Sequence, residues 1–230
     1  MITADPVFFL QVMRLRISVL GAVLGAGCVV LGAAQPPATL SLVDAATKGR
    51  ADAPIVMIEY SDFHCPFCRK YTKETFPQIE KDYIETGKVL YAFRHMPLDT
   101  HPTAPQAAVA AVCATRQGKF WELHDRLFSA PKPVQPADLE SHARAAGVDR
   151  DRYRLCMKGI ARQDVEDDLK EGQRIGFAGT PGFALGPNLG DQRMRLQRRL
   201  AGAAPYAHFK ETIDALLSTN GRNFEAFDDR

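Results

Sequence analysis

Apolar residues in this chain fall either in short unbroken runs or at helical spacings, and the order of the two kinds outlines a fold. Pro54-Ile-Val-Met-Ile-Glu-Tyr60 is an apolar run that predicts a buried strand over 55–60. Tyr71, Phe76, Ile79 and Tyr83 then recur at the spacing of one helix face, which predicts an amphipathic helix reaching about Thr86. Pro77 interrupts that helix and predicts a kink, and Gly87 stands where a helix-terminating glycine is expected. Lys88–Arg94 reads as a second strand. A strand, helix, strand order with a right-handed crossover makes the two strands parallel neighbours.

From His101 to about Phe177 the pattern is helical throughout. Ala104–Arg116 is Ala-rich, Lys119–Phe128 puts Phe120, Leu123 and Leu127 on one face, and Pro136–Ala146 and Asp149–Met157 are shorter. Ala161–Ile175 is charged on most sides, with Val165, Leu169 and Ile175 expected to face inward. Asp149-Arg-Asp-Arg-Tyr-Arg154 and Glu166-Asp-Asp168 read as solvated faces. After Gly179-Thr180-Pro181-Gly182 the β pattern returns. Phe183–Gly186 and Met194–Leu200 predict a hairpin around the turn-rich Pro187–Asp191. Pro205 opens a last helix through Phe209, Ile213, Leu216 and Leu217, and 219–230 reads as a polar tail that frays. The sheet residues thus come as βαβ over 54–100 and ββα over 178–218, an α/β class, with an all-helical subdomain inserted over 101–177. Residues 35–53 read as a linker with at most a short strand near Leu40–Val43.

Composition narrows the function classes. With 230 residues, 46% hydrophobic and 24% charged, the chain can bury a full core. The formal net charge is only +2 and the basic patch Arg193–Arg199 is short, so charge gives nucleic-acid binding no support and the patch reads as a solvated hairpin. Arg14 and Arg16, the uncharged run Ile17–Leu31 and Gly32-Ala33-Ala34 have the layout of a leader over 1–34, with Met13 as a candidate true start. A cleaved signal peptide is expected; an uncleaved membrane anchor is the competing reading, and lipid attachment at Cys28 a weaker one. Loss of the leader leaves Cys65, Cys68, Cys113 and Cys156, an even set expected to pair in an oxidising compartment. If Cys65 pairs with Cys68, Cys113 and Cys156 are left for each other.

The chemistry concentrates at Phe63-His64-Cys65-Pro66-Phe67-Cys68. A CxxC at a strand-to-helix junction is the mark of a redox dithiol. Cys65 can serve as N-cap with Pro66 at the first helical position, where its missing N–H costs nothing. Free N–H groups and the positive dipole end there favour thiolate at Cys65, and Cys68 faces the same side one turn deeper.

Five segments together resemble the DsbA-type thiol-disulfide oxidoreductases, in the extracytoplasmic DsbA-like branch. They are Tyr60–Lys70, Phe93–Leu98 with His101-Pro102, Gln117–Phe128, Gly176–Phe183 and Gly202–Phe209. The resemblance spans about 40 to 217 and implies a thioredoxin-like fold with an inserted helical domain. It also implies roles: Cys65 as the exposed reactive sulfur, Cys68 as the shielded resolving one, Pro181 after Thr180 as a cis-proline facing the dithiol, and Glu59 as a buried acid relaying a proton for Cys68. Some members also pair two cysteines in the helical block, which fits Cys113–Cys156. Pro-Phe between the cysteines, where DsbA has Pro-His, implies a weaker oxidant, with His64 a candidate source of compensating positive charge. The isomerase relatives carry an N-terminal dimerisation domain, and the short stretch between leader and fold argues against their V-shaped dimer; a monomer is expected, with an oligomer by another route left open.

The expected activity is that of a disulfide donor for unfolded or thiol-containing exported proteins. It needs no cofactor but does need a membrane redox partner, DsbB-like or other, to reoxidise it. The nearest rival is a reductase or isomerase kept reduced by a membrane electron donor. A rival of another class is copper or zinc held by His64, Cys65 and Cys68. Structural zinc asks for four ligands, and no second CxxC or HxxxH is present, although copper(I) on two thiolates fits the chemistry. A CPFC disulfide as a permanent staple closes too small a loop to restrain the unfolded chain.

Overall fold

The computed structural model describes residues 38–159 and 161–225, with side chains as far as Thr219. The leader expected over 1–34 lies outside the described residues, as do 226–230. Among the described residues no helix is long and apolar enough to cross a membrane.

The apolar run becomes strand β3, Ile55–Ser61, with all seven residues buried. Burial on both faces is what removes alternation from its sequence. Ile55 and Met57 pack toward Tyr71, Ile79, Phe183 and Phe209, while Val56, Ile58 and Tyr60 pack toward Ala92, Ala184, Ile175 and Phe177. Glu59 shares the face of Ile55 and Met57, because side chains alternate along a strand. The helix after it comes in pieces: α1 (Pro66–Glu74), α2 (Phe76–Ile79) and a π-helical turn over Glu80–Ile84. Pro77 lies in the first turn of α2, where no donor is needed, so the break falls at Thr75. Gly87 follows at φ 75°, a left-handed conformation that suits glycine. Strand β4 (Val89–His95) then pairs parallel to β3, from Ile55 opposite Val89 to Ser61 opposite His95.

The inserted block contains α3 (Ala104–Thr115), α4 (Phe120–Ser129), α5 (Leu139–Ala145), α6 (Arg150–Met157) and α7 (Ala161–Arg174). Its core, built on Ala107, Ala111, Leu123, Leu127 and Phe128, is continuous with Phe63, Cys68 and Phe93, so the helices roof the active-site end of the sheet. Cys113 of α3 and Cys156 of α6 form a disulfide with Cα atoms 5.7 Å apart. The acidic run of α7 departs from the expected solvated face, because Asp168 is buried. Arg94 Nη1 donates to its Oδ1 at 2.8 Å and the His95 amide donates to its Oδ2 at 2.9 Å. A charge is tolerated there because both oxygens meet donors on β4. Val165 and Ile175 are buried as expected, and Leu169 partly.

The chain then returns to the sheet through β5 (Gly182–Gly190), β6 (Arg193–Arg195) and β7 (Arg198–Ala201), and ends on α8 (Tyr206–Glu225). The hairpin differs from the expected one. Pro187–Gly190 continues the first strand, the turn sits at Asp191-Gln192 with φ 48° and 55°, and the second strand splits between β6 and β7. At the split, the Arg195 carbonyl comes so near Gly186 that an added Cβ would lie 1.8 Å from it. The helical backbone also continues through residues 220–225, part of the stretch expected to fray.

Residues 38–53 are more than the linker expected over 35–53, whose first three positions lie outside the described residues. Within them β1 (Thr39–Ser41) pairs antiparallel with β6, and β2 (Ala46–Lys48) pairs antiparallel with β4. The sheet order among the described residues is β1-β6-β5-β3-β4-β2, with β7 also on β5. This is a thioredoxin-like fold with a helical insertion, and β3 at its middle delivers the CxxC to the sheet's end.

Candidate active site

Cys65 is the N-cap of α1, in extended conformation at φ −72° and ψ 124°, with Pro66 first in the helix. Its own amide closes a turn onto the Asp62 carbonyl at 3.1 Å. The first-turn amides of α1 have no intrahelical acceptors, so they are left for the Cys65 sulfur. Both cysteines are free thiols in the structure. Cys65 is less open than expected for the attacking sulfur: it is 3% exposed against 0% for Cys68. The cause is the opposite loop, whose Thr180 carbonyl accepts from the Cys65 thiol at 3.4 Å. Phe67, at 61% exposed, gives the site an apolar rim.

The two thiols are driven apart. A hydrogen bond from Cys68 is the largest influence on Cys65, and with the backbone amides of Cys68 and Phe67 it outweighs burial, pulling the thiol down to about 5. Burial pushes Cys68 well above the ordinary thiol value, reinforced by its bond to Cys65 and by the charge of Glu59. A thiolate on the outer sulfur and a proton on the inner one is the charge state that thiol–disulfide exchange requires.

Glu59 is 1% exposed. The Tyr91 hydroxyl donates to its Oε2, and the Tyr71 hydroxyl lies 3.3 Å from that of Tyr91. Its Oε1 is buried with no hydrogen-bond partner. Burial raises this carboxyl to about 7, with the Tyr91 bond opposing. An acid that is half protonated near neutrality beside a sulfur that must gain or lose a proton is placed for transfer. The two tyrosines were hidden in the sequence, where aromatics at these spacings read as core.

His64 takes a different part from the one expected. Burial holds it toward the neutral form, so it does not supply positive charge to Cys65. Nε2 lies 3.2 Å from the Val134 carbonyl and Nδ1 3.3 Å from the Thr103 hydroxyl. A carbonyl only accepts, so the proton sits on Nε2 and Nδ1 accepts. His64 therefore straps the CxxC loop to the helical block. Arg69 does the same from α1, donating to the carbonyls of Phe128 and Ala130 at the end of α4. Across the site, the Thr180–Pro181 peptide is cis, and Thr180 is 8% exposed. Among the described residues no cluster of three or more His, Cys, Asp or Glu side chains could hold a metal ion.

Fold and site together have the layout of a thioredoxin-like redox dithiol. A family profile described as Thioredoxin matches residues 42–221. The chain belongs to the thioredoxin family, in its DsbA-like branch. The solved structure of Wolbachia pipientis alpha-DsbA1 superposes with a TM-score of 0.69 at 25% identity, covering 80% of this chain and 96% of that one. Disulfide bond formation protein D of Bacillus subtilis is 25% identical over 180 residues, 74% of this chain and 75% of that protein. A protein of Salinispora tropica named Na(+)/H(+) antiporter NhaA 3 is 36% identical over 140 residues, 59% of this chain. The chain spans only about a fifth (21%) of that protein's length, so the transport in the name is not carried over.

Proposed function

We propose that the chain is a disulfide donor for exported proteins, with Cys65 and Cys68 as the catalytic pair. The observation that carries this is the opposed shift of the two thiols, Cys65 down to about 5 and Cys68 upward. A stabilised Cys65 thiolate favours the reduced protein, so the disulfide is readily given away, and it improves Cys65 as a leaving group.

In the first step a substrate thiolate attacks Cys65 Sγ, the Cys65–Cys68 bond breaks, and Cys68 leaves with the electron pair. Cys68 takes a proton, and Glu59 is its proposed source. The substrate's second thiolate then attacks its own sulfur in the mixed disulfide. Cys65 departs as a thiolate, the substrate keeps the new bond, and two electrons stay on the dithiol. A membrane redox partner of DsbB type would remove them. Thr180 and Pro181 face the dithiol where a substrate backbone would lie. An exported, extracytoplasmic location fits both this direction of flow and the leader read in the sequence.

The test uses purified, pre-oxidised protein and a reduced, unfolded substrate that folds only with its disulfides. Substrate disulfides should form in stoichiometric amount, and Cys65→Ser should form none. Failure of the pre-oxidised protein to oxidise a dithiol substrate, together with net reduction of a disulfide-bonded substrate by the pre-reduced protein, would reverse the assignment to a reductase.

A further inference from the structure

Asp62 precedes the CxxC by three residues, and its carboxylate is enclosed, with a side-chain exposure of 0%. Every contact it makes is to the active-site end of the molecule. Oδ1 accepts from the His64 amide at 2.7 Å; Oδ2 accepts from the Leu98 amide at 2.9 Å and lies 2.7 Å from His101 Nδ1. Its carbonyl takes the Cys65 amide at 3.1 Å. One residue therefore closes the turn 62–65 twice, through main chain and side chain, and pins that turn to the loop between β4 and α3. Burying a carboxylate is costly, and only a full set of donors makes it tolerable. An apolar residue would fill the same space without that cost, but it would leave the His64 and Leu98 amides unheld.

We infer that Asp62 is a positioning residue for the redox thiol, fixing the backbone of Cys65 so that its sulfur meets the first-turn amides of α1. The amides of Phe67 and Cys68 act on the sulfur only from a fixed geometry, since a hydrogen bond weakens steeply with angle. The inference rests on Cys65 being the reactive thiol.

Two effects of Asp62 on Cys65 have opposite signs, which makes the role separable. As a nearby negative charge Asp62 opposes the thiolate, so its removal would lower the Cys65 midpoint. As a positioning residue it supports the thiolate, so its removal raises the midpoint. His101 Nδ1 contacts the carboxylate directly, and the His64 ring interacts electrostatically with Asp62, His101 and Arg69. The experiment titrates the alkylation rate of Cys65 against pH in reduced protein, for wild type, Asp62→Ala, Asp62→Asn and His101→Ala.

Asp62→Ala should raise the midpoint by about one unit, seen as about tenfold slower alkylation at a pH below both midpoints. Asp62→Asn keeps one acceptor oxygen and should shift less, and His101→Ala, which leaves both amide bonds, least. Folding is checked by circular dichroism and by an intact Cys113–Cys156 bond. If Asp62→Ala does not fold, the order of the other two against wild type decides. An unchanged or lowered midpoint in the folded variants overturns the inference. An ordinary thiol midpoint in wild type would instead refute the proposed activity.

Discussion

Replacing Glu59 with Gln should remove a pH dependence of stability whose size follows from the structure. Burial raises the carboxyl from its ordinary 4.5 to about 7 in the folded chain. Between those values the folded state holds a proton that the unfolded state has lost. Each pH unit in that window therefore takes about 1.4 kcal/mol from stability as pH rises. Across the window the loss is about 3 kcal/mol: the contribution is complete below pH 4.5 and gone above about 7. The assay is urea unfolding of the oxidised protein at half-unit steps from pH 4 to 8. With the Cys65–Cys68 bond formed, neither thiol titrates, and the charge of Cys65 is a weaker influence on Glu59 than burial or the Tyr91 bond, so the window should persist. Glu59→Gln also leaves a buried amide imperfectly paired, which lowers stability at all pH values by about 1–3 kcal/mol. The informative quantity is therefore the difference in slope. Parallel curves for the two proteins would refute the burial argument and the proton-relay role built on it.

Other consequences are checked as directly. Thiolate absorbance of the reduced protein should titrate near pH 5 and vanish in Cys65→Ser, whereas a midpoint near 9 would mean that the helix terminus does not activate the sulfur. Cys113→Ser with Cys156→Ser should lose about 4 kcal/mol by the chain-entropy account of a loop with sequence separation 43, read from denaturant midpoints of the oxidised proteins. Arg94→Met should cost about 3–5 kcal/mol, because it leaves the buried Asp168 without its cation; Asp168→Asn in that background should recover part of it.

What the sequence revealed and concealed follows from how locally each feature is encoded. β3 and the CxxC junction were legible because a buried parallel strand leaves an unbroken apolar run and an N-cap Cys-Pro leaves a fixed signature. The insertion was legible because helical spacing persists across 101–177. Thr39–Ser41 and Ala46–Lys48 were not, since three residues carry no period and their partners lie far along the chain. Asp168 looked solvated within Glu166-Asp-Asp168 because its reason for burial, Arg94, is on another element. His64 was read for charge, and only the fold reveals that it is buried against the helical block, which holds it toward the neutral form. Asp62 stood in plain view inside the matched motif, but its three acceptor contacts join segments that only the fold brings together.

The redox equilibrium of Cys65–Cys68 against glutathione, followed by alkylation and mass, tests the central claim most directly. A donor with a stabilised Cys65 thiolate, carrying Pro-Phe rather than Pro-His, should have a midpoint between about −220 and −120 mV. A midpoint near about −270 mV, the range of a reducing thioredoxin, would contradict it.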